Sequence, residues 1–216
     1  TYDLLKRLRD AHPEVEIETC SSGGGRIDFG ILAHAQRVWL SDSNDALSRL
    51  RIQHDAALFL PSCVTGSHVG PRTCHTTGRI HSISFRAWVA AQRHMGLEMD
   101  PRELTDAEAA TLTRVTAWYK ANRDWLRTAD ILRLDAADPA IIAEQQQAAD
   151  GHRFVVFAGH AGTSTQIAPR PLRLTGLDPA ASYTIDLANR EDISSLSRGT
   201  PALKSSSLTL TGQSLM

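Results

Sequence analysis

Short strand-like runs alternate with helical stretches as far as Thr128, and that alternation constrains the fold more than any other property of the chain. Helical crossovers between strands demand a parallel sheet. The periodicity predicts a helix over 2–11, carrying Tyr2, Leu4, Leu5 and Leu8 on one side, with Pro13 separating it from a strand at Val15–Thr19. A short helix over 29–36 precedes a second strand, Val38-Trp39-Leu40. Ser43 is the expected cap of a helix over Asn44–His54, with Ala46, Leu47, Leu50 and Ile52 on its apolar side. Ala57–Leu60 reads as a strand buried on both faces, 61–78 as a long loop of the kind that is either functional or disordered, and Arg79–Met95 as a helix turning Ile80, Ile83, Phe85, Ala87, Val89 and Ala90 inward. Thr105 with Glu108 is a capping-box start for a helix reaching Leu126. Three or four strand–helix units make half of a parallel barrel, which has open edges and cannot close its core unaided.

Beyond Thr128 the pattern changes. Ile131–Leu134, Arg153–Phe157, Pro171–Leu174, Tyr183–Leu187 and Ser207–Leu210 read as short strands separated by turn signals, Asp150-Gly151 and Asp178-Pro179 the clearest. Gln145–Gln147 is read as a strand leading into the Asp150-Gly151 hairpin, and Leu208–Met216 as a final strand. The expectation is two domains, a partial barrel over 1–128 and a small antiparallel β-sandwich over 129–216.

Bulk properties narrow the function classes. The net charge is −1, from 23 basic and 24 acidic residues, which argues against the basic excess of a nucleic-acid binder. No stretch approaches the ~20 apolar residues of a membrane span. Cys20, Cys63 and Cys74 are an odd count and argue against a disulfide framework. Cys63, His68, Cys74 and His75 are metal-ligand types, but their spacing matches no compact zinc pattern, so neither metal nor cofactor is expected. Thr1 opens inside the first amphipathic helix, so the expectation is that the true amino terminus is missing. Location is therefore unreadable, with a cytoplasmic setting marginally favoured.

The chemistry concentrates in two blocks. Strand Val15–Thr19 breaks into Cys20-Ser21-Ser22-Gly23-Gly24-Gly25-Arg26-Ile27-Asp28, where glycines let backbone N–H groups approach a ligand. Strand Val38–Leu40 runs into Ser41-Asp42-Ser43-Asn44-Asp45, placing a carboxylate at a strand's carboxyl end, where parallel barrels carry catalytic groups. Arg26 with Asp28 is read as an ion pair shaping the loop, and Asp45 as a first-turn helix acid. Trp39 either stacks on a ligand or fills the core; His68 either lines the rim or makes structural hydrogen bonds.

Cys20–Asp28 and Trp39–Asp45 resemble the C-x-S-G-G-G-R-x-D and W-x-S-D-x-x-D blocks of glycoside hydrolase family 36, the retaining α-galactosidases. Gly66–Val69, His75–Arg79, Phe85–Ala87 and Gly96–Asp100 are similar to further family segments, with Thr65 and Ser67 departing where methionine and alanine are usual. The likeness is strong over residues 1–135 and weaker beyond. It implies the carboxyl-terminal half of a (β/α)8 TIM barrel followed by a β-sandwich. Asp42 aligns with the general acid/base, and Cys20 and Gly23 with positions that contact galactose; Trp39 joins them as a substrate-binding residue. The family's nucleophile lies in a K-W-D segment several tens of residues upstream. None of the 41 residues before Asp42 supplies it, although Asp3, Asp10, Glu14, Glu16, Glu18 and Asp28 precede it. The resemblance thus implies the carboxyl-terminal portion of a larger enzyme, inactive alone, that acts on raffinose-type oligosaccharides. Family members often form homo-oligomers. Galactosyl transfer, N-acetylgalactosaminidase activity and a non-catalytic galactoside-binding module are the alternatives, and Cys20 favours plain galactose.

Overall fold

A computed structural model describes residues 1–167, 170–193 and 201–216. Helix α1 (Tyr2–Ala11) leads to strand β1 (Glu18–Thr19), the single-turn helix α2 (Phe29–Leu32), β2 (Arg37–Val38) and α3 (Ala46–Ala56). Strand β3 (Gly66–Val69), α4 (Ile83–Ala90) and β4 (His94–Leu97) follow, and the long helix α5 (Asp106–Leu126) closes this part. β1 pairs parallel with β2 (Glu18 opposite Arg37, Thr19 opposite Val38), and β3 parallel with β4 (Gly66 opposite His94, Val69 opposite Leu97). A parallel bridge, Val38 to Thr65, joins the two pairs, so the four strands stand side by side in chain order.

Several local expectations change. Ala57–Leu60 is not a strand: it is a turn closing α3, with Leu58 and Phe59 exposed. A continuous apolar run looks alike as strand or helix end, and here the α3 carbonyls claim its amides. The expected loop over 61–78 instead contains β3, whose small Gly-Ser-His-Val run carries almost no strand propensity. The helix expected over Arg79–Met95 is only Ile83–Ala90, capped by the Ser82 hydroxyl accepting from Phe85 N (3.2 Å), and its tail is β4. Ile80 is accordingly exposed, not inward. The α5 capping box forms as expected, with Thr105 and Glu108 bonded reciprocally.

The apolar core lies between β3, α4 and α5: Val69, Ile83, Ala87, Ala90, Ala91, Leu112, Val115, Tyr119 and Leu126. Helix α3 is different. Its buried stripe is Ala46, Arg49, Leu50 and Gln53, spaced i, i+3, i+4, i+7, so two of its inward positions are polar.

After α5 the pairing becomes antiparallel. β5 (Asp130–Leu134), β6 (Ile141–Gln147) and β7 (Phe154–His160) form one sheet, with β6 central. β8 (Ser182–Ile185) pairs with β9 (Leu208–Thr211), the one-turn helix α6 (Ala202–Ser205) lying between them in sequence. The chain ends in another single turn, α7 (Gly212–Leu215), and not in an unbroken strand from Leu208. Pro171–Leu174 joins no ladder among the described residues; Leu174 N donates to Leu215 O (2.9 Å). Sheet and helices are joined by a buried polar network. Arg93 forks onto Glu144 of β6 (2.6 and 2.9 Å) and donates to Gln53 O (3.1 Å), while Gln146 donates to Gln92 O (2.9 Å).

Candidate active site

Because β1 and β2 are parallel and in register, the segments leaving their carboxyl ends emerge side by side. Trp39 N donates to Thr19 O (3.0 Å), extending the pairing one residue beyond the strands. The first segment then turns sharply through Ser22 (φ +48°) and Gly23 (φ +68°), and Gly25 N donates back to Ser21 O (3.0 Å). At Gly23 a side chain is excluded twice over: by its left-handed backbone, and because a Cβ would lie 2.9 Å from both Asp42 N and Ser41 Cα. The glycine turn is thereby pressed onto the Asp42 segment. The Cys20 thiol lies 3.9 Å from Asp42 Oδ1, and both residues are exposed at this mouth. Three of the four expected site residues thus converge. Gly23→Ala is expected to destabilise the fold by more than the left-handed penalty of about 1–2 kcal/mol, because the backbone of Ser41 and Asp42 must also shift, read as a lowered urea midpoint with unchanged slope.

Trp39, the fourth, is 7% exposed. The Arg49 guanidinium carbon stands 4.0 Å from its ring centroid and the His68 ring 4.3 Å away, so the indole is packed among neighbours below the mouth. His68 in turn pairs through Nδ1 with Glu98 Oε2 (2.9 Å). The ring needs Gly96 on the adjacent strand, where a Cβ would fall 2.5 Å from His68 Cδ2. Burial would raise the Glu98 carboxyl, but hydrogen bonds from His68 and Asn44 outweigh it and hold the group below its ordinary value.

Two loop readings are corrected. Asp28 does not pair with Arg26. Its Oδ1 accepts from Ile31 N (2.7 Å), capping α2, and from the Tyr2 hydroxyl (2.8 Å), while Arg26 donates to Cys20 O (3.3 Å). The cap of α3 is Asp45 and not Ser43: Asp45 Oδ1 accepts from Ser48 N (2.9 Å). Asp45 is fully buried and also accepts from Thr77 Oγ1 (2.6 Å) and Arg79 Nη1 (3.1 Å), which ties the segment before α4 to the start of α3. Burial alone would raise its pKa; those donors, with Arg79 and His81 beside it, hold it down at about 2.

Arg49 and Gln53, the buried polar residues of α3, escaped the sequence reading, because a basic residue on a helix ordinarily marks the solvent face. Their i+3, i+7 spacing from Ala46 was a usable signal. Cys74 is buried with its thiol 3.2 Å from Thr76 Oγ1, and Cys63 is exposed. Among the described residues no three His, Cys, Asp or Glu side chains are grouped as metal ligands.

Residues 1–129 match the family model described as Melibiase. The chain is 37% identical over 198 residues to an α-galactosidase of Escherichia coli, covering 92% of this chain and 28% of that protein. It is 35% identical over 190 residues to a probable α-galactosidase C of Aspergillus oryzae, covering 86% and 25% respectively. Among solved structures, a doubly substituted variant of the family 36 α-galactosidase AgaA of Geobacillus stearothermophilus, in complex with raffinose, superposes with a TM-score of 0.82 at 28% identity, covering 99% of this chain and 27% of that one. The galactosidase domain of an α-galactosidase–sucrose kinase gives a TM-score of 0.83 at 28% identity, covering 100% and 28%. This chain therefore spans about a quarter of the length of the relatives it matches. With more than half of its residues matched by the family model, and a fold shared with these enzymes along nearly its whole length, the chain belongs to the Melibiase family, the α-galactosidases of glycoside hydrolase family 36.

Proposed function

We propose that this chain is the acid/base-bearing part of a retaining α-galactosidase that removes terminal α-linked galactose from raffinose-type oligosaccharides. One observation carries the reading: Cys20 and Asp42, leaving the carboxyl ends of neighbouring parallel strands, meet at 3.9 Å over a glycine turn that admits no side chain. Asp42 protonates the glycosidic oxygen as it leaves, then takes a proton from the incoming water. Cys20 and Gly23 face the sugar, and Trp39 backs them.

In this reading the four parallel strands and their helices, residues 1–128, are the carboxyl-terminal half of a (β/α)8 barrel, and residues 129–216 form an antiparallel sandwich. The parallel order β1-β2-β3-β4, with a helix after each of the first three strands, supports the first assignment. The two antiparallel sheets, joined by the Phe154–Tyr183 ring contact at 5.6 Å, support the second. Retention needs a second carboxyl ~5–5.5 Å from the first. We assign that nucleophile to another segment of a polypeptide as long as the relatives. The raffinose-bound and stachyose-bound AgaA structures support the substrate class.

A polypeptide of that length carrying this sequence is expected to release galactose from raffinose and from a nitrophenyl α-galactoside, while the 216-residue chain alone turns over neither. Turnover by the isolated chain would relocate the nucleophile into it. Sugar binding without turnover in the long form would leave only a galactoside-binding module.

A further inference from the structure

Arg49 heads the largest fully buried side chains of the described residues, at 1% exposure. It leaves α3 toward the mouth of the strands, where Nη2 donates to Ser41 O (2.5 Å) and reaches Asn44 Oδ1 (3.5 Å). Its Nε and Nη1 have no hydrogen-bond partner among the described residues. Burying a guanidinium without full pairing is unfavourable, so a purely apolar reason for its place is excluded. The surrounding charge supplies another. Three carboxylates act on this one cation: Glu18 of β1, Asp42 after β2 and Glu98 after β4. Burial draws the guanidinium down to about 10, against the pull of those carboxylates, which still leaves it cationic at neutral pH. His68 of β3 is held by Glu98, and Arg26 of the glycine turn by Cys20 O, so neither is Asp42's hydrogen-bonded partner.

We propose that Arg49 is the positioning residue of the Asp42 acid/base, fixing its turn through the Ser41 carbonyl. The inference rests on the acid/base reading of Asp42. A turn held in one place keeps the Asp42 carboxyl aimed at the glycosidic oxygen, to which it must give a proton before a sugar hydroxyl can leave.

The test compares kcat/KM on raffinose, whose leaving sugar needs a proton, with kcat/KM on a nitrophenyl α-galactoside, whose leaving group does not, in the polypeptide of full family length. Arg49→Met keeps the length of the side chain and removes its donors. It is expected to lower kcat/KM on raffinose about 10–100-fold and on the nitrophenyl substrate less than about threefold, because only raffinose needs the proton that a displaced Asp42 delivers poorly. Arg49→Lys can still donate to the Ser41 carbonyl but loses the planar fork; it is expected to recover most of the raffinose loss. Arg49→Gln serves as the neutral variant should Arg49→Met fail to fold, as judged by thermal unfolding. Equal losses on the two substrates in the neutral variants, or a lysine variant as impaired on raffinose as the methionine one, overturn the proposal. An Asp42→Asn enzyme with wild-type turnover would instead defeat the acid/base reading itself. An Asp42→Asn enzyme inactive on raffinose, beside an Arg49→Met enzyme with wild-type kcat/KM on it, removes only the role of Arg49.

Discussion

If the proposed function holds, Asp42→Asn in a polypeptide of full family length is expected to lower turnover of raffinose by about 10²–10⁴-fold, the usual range for losing a general acid/base. The leaving group of raffinose is a sugar hydroxyl, which departs poorly without a proton. Asparagine keeps the shape of the side chain but cannot give or take that proton at neutral pH. The fold is expected to survive, because the contact made by the Asp42 carboxylate among the described residues is the 3.9 Å approach of the Cys20 thiol. An activated aryl galactoside separates the two half-reactions. Its leaving group needs no proton, so the galactosyl-enzyme still forms, and hydrolysis of that intermediate becomes slow. Azide needs no general base, so added azide should restore turnover and release α-galactosyl azide with the anomeric configuration retained. Unchanged turnover of raffinose, or an inverted azide product, would remove Asp42 from the acid/base role.

Glu144→Ala is expected to cost about 3–5 kcal/mol of stability, because it strands the Arg93 guanidinium in the interior. Both partners are nearly inaccessible, Arg93 at 4% and Glu144 at 2%. Their contact is a two-bonded fork, and the network reaches the Gln53 and Gln92 backbone carbonyls. Replacing both partners with methionine should cost much less than either single change, since no charge is then left unpaired. Urea unfolding of the wild type, Arg93→Met, Glu144→Met and the double methionine variant gives the coupling energy directly, and additive losses would show that the pair is not a unit. The same pair sets a pH dependence. Burial would raise the Glu144 carboxyl, yet Arg93 and the hydrogen bond from Gln146 outweigh it and hold the group below its ordinary value. A lowered folded-state pKa means the pair's contribution is present above the unfolded value, about 4.3, and is lost as pH falls toward and through the folded one. The wild-type urea midpoint should therefore drop below about pH 4.3 more steeply than that of the double methionine variant.

Where a residue's neighbours in the chain decide its conformation, the sequence was legible. The α5 start formed as read, because a capping box closes within four residues. The α1 helix formed over Tyr2–Ala11, and Gln145–Gln147 became strand because the β6–β7 hairpin follows directly. Misreadings came where distant partners decide. β3 and β4 are built from Gly66–Val69 and His94–Leu97, runs with little intrinsic preference, and each is a strand because the other lies beside it. Ala57–Leu60 had the composition of a buried strand but was already engaged by α3. Asp45 displaced Ser43 as the cap because its carboxylate also binds Thr77 and Arg79, more than thirty residues away.

The candidate site divides along the same line. A glycine-rich turn and an acid, each following directly on a strand, were visible in the chain, while the roles expected of Cys20, Gly23 and Asp42 came from the family resemblance. That they stand together depends on the parallel register of β1 and β2, which no local pattern encodes. Trp39 could be named but not oriented; only packing put Arg49 and His68 against its ring. Arg49 and the Arg93–Glu144 pair could not be found from sequence, because a charge is driven inward only by partners on other elements. Local hydrogen bonds and periodicity are written in consecutive residues, whereas the burial of a charge is settled by whichever distant groups the fold brings to meet it.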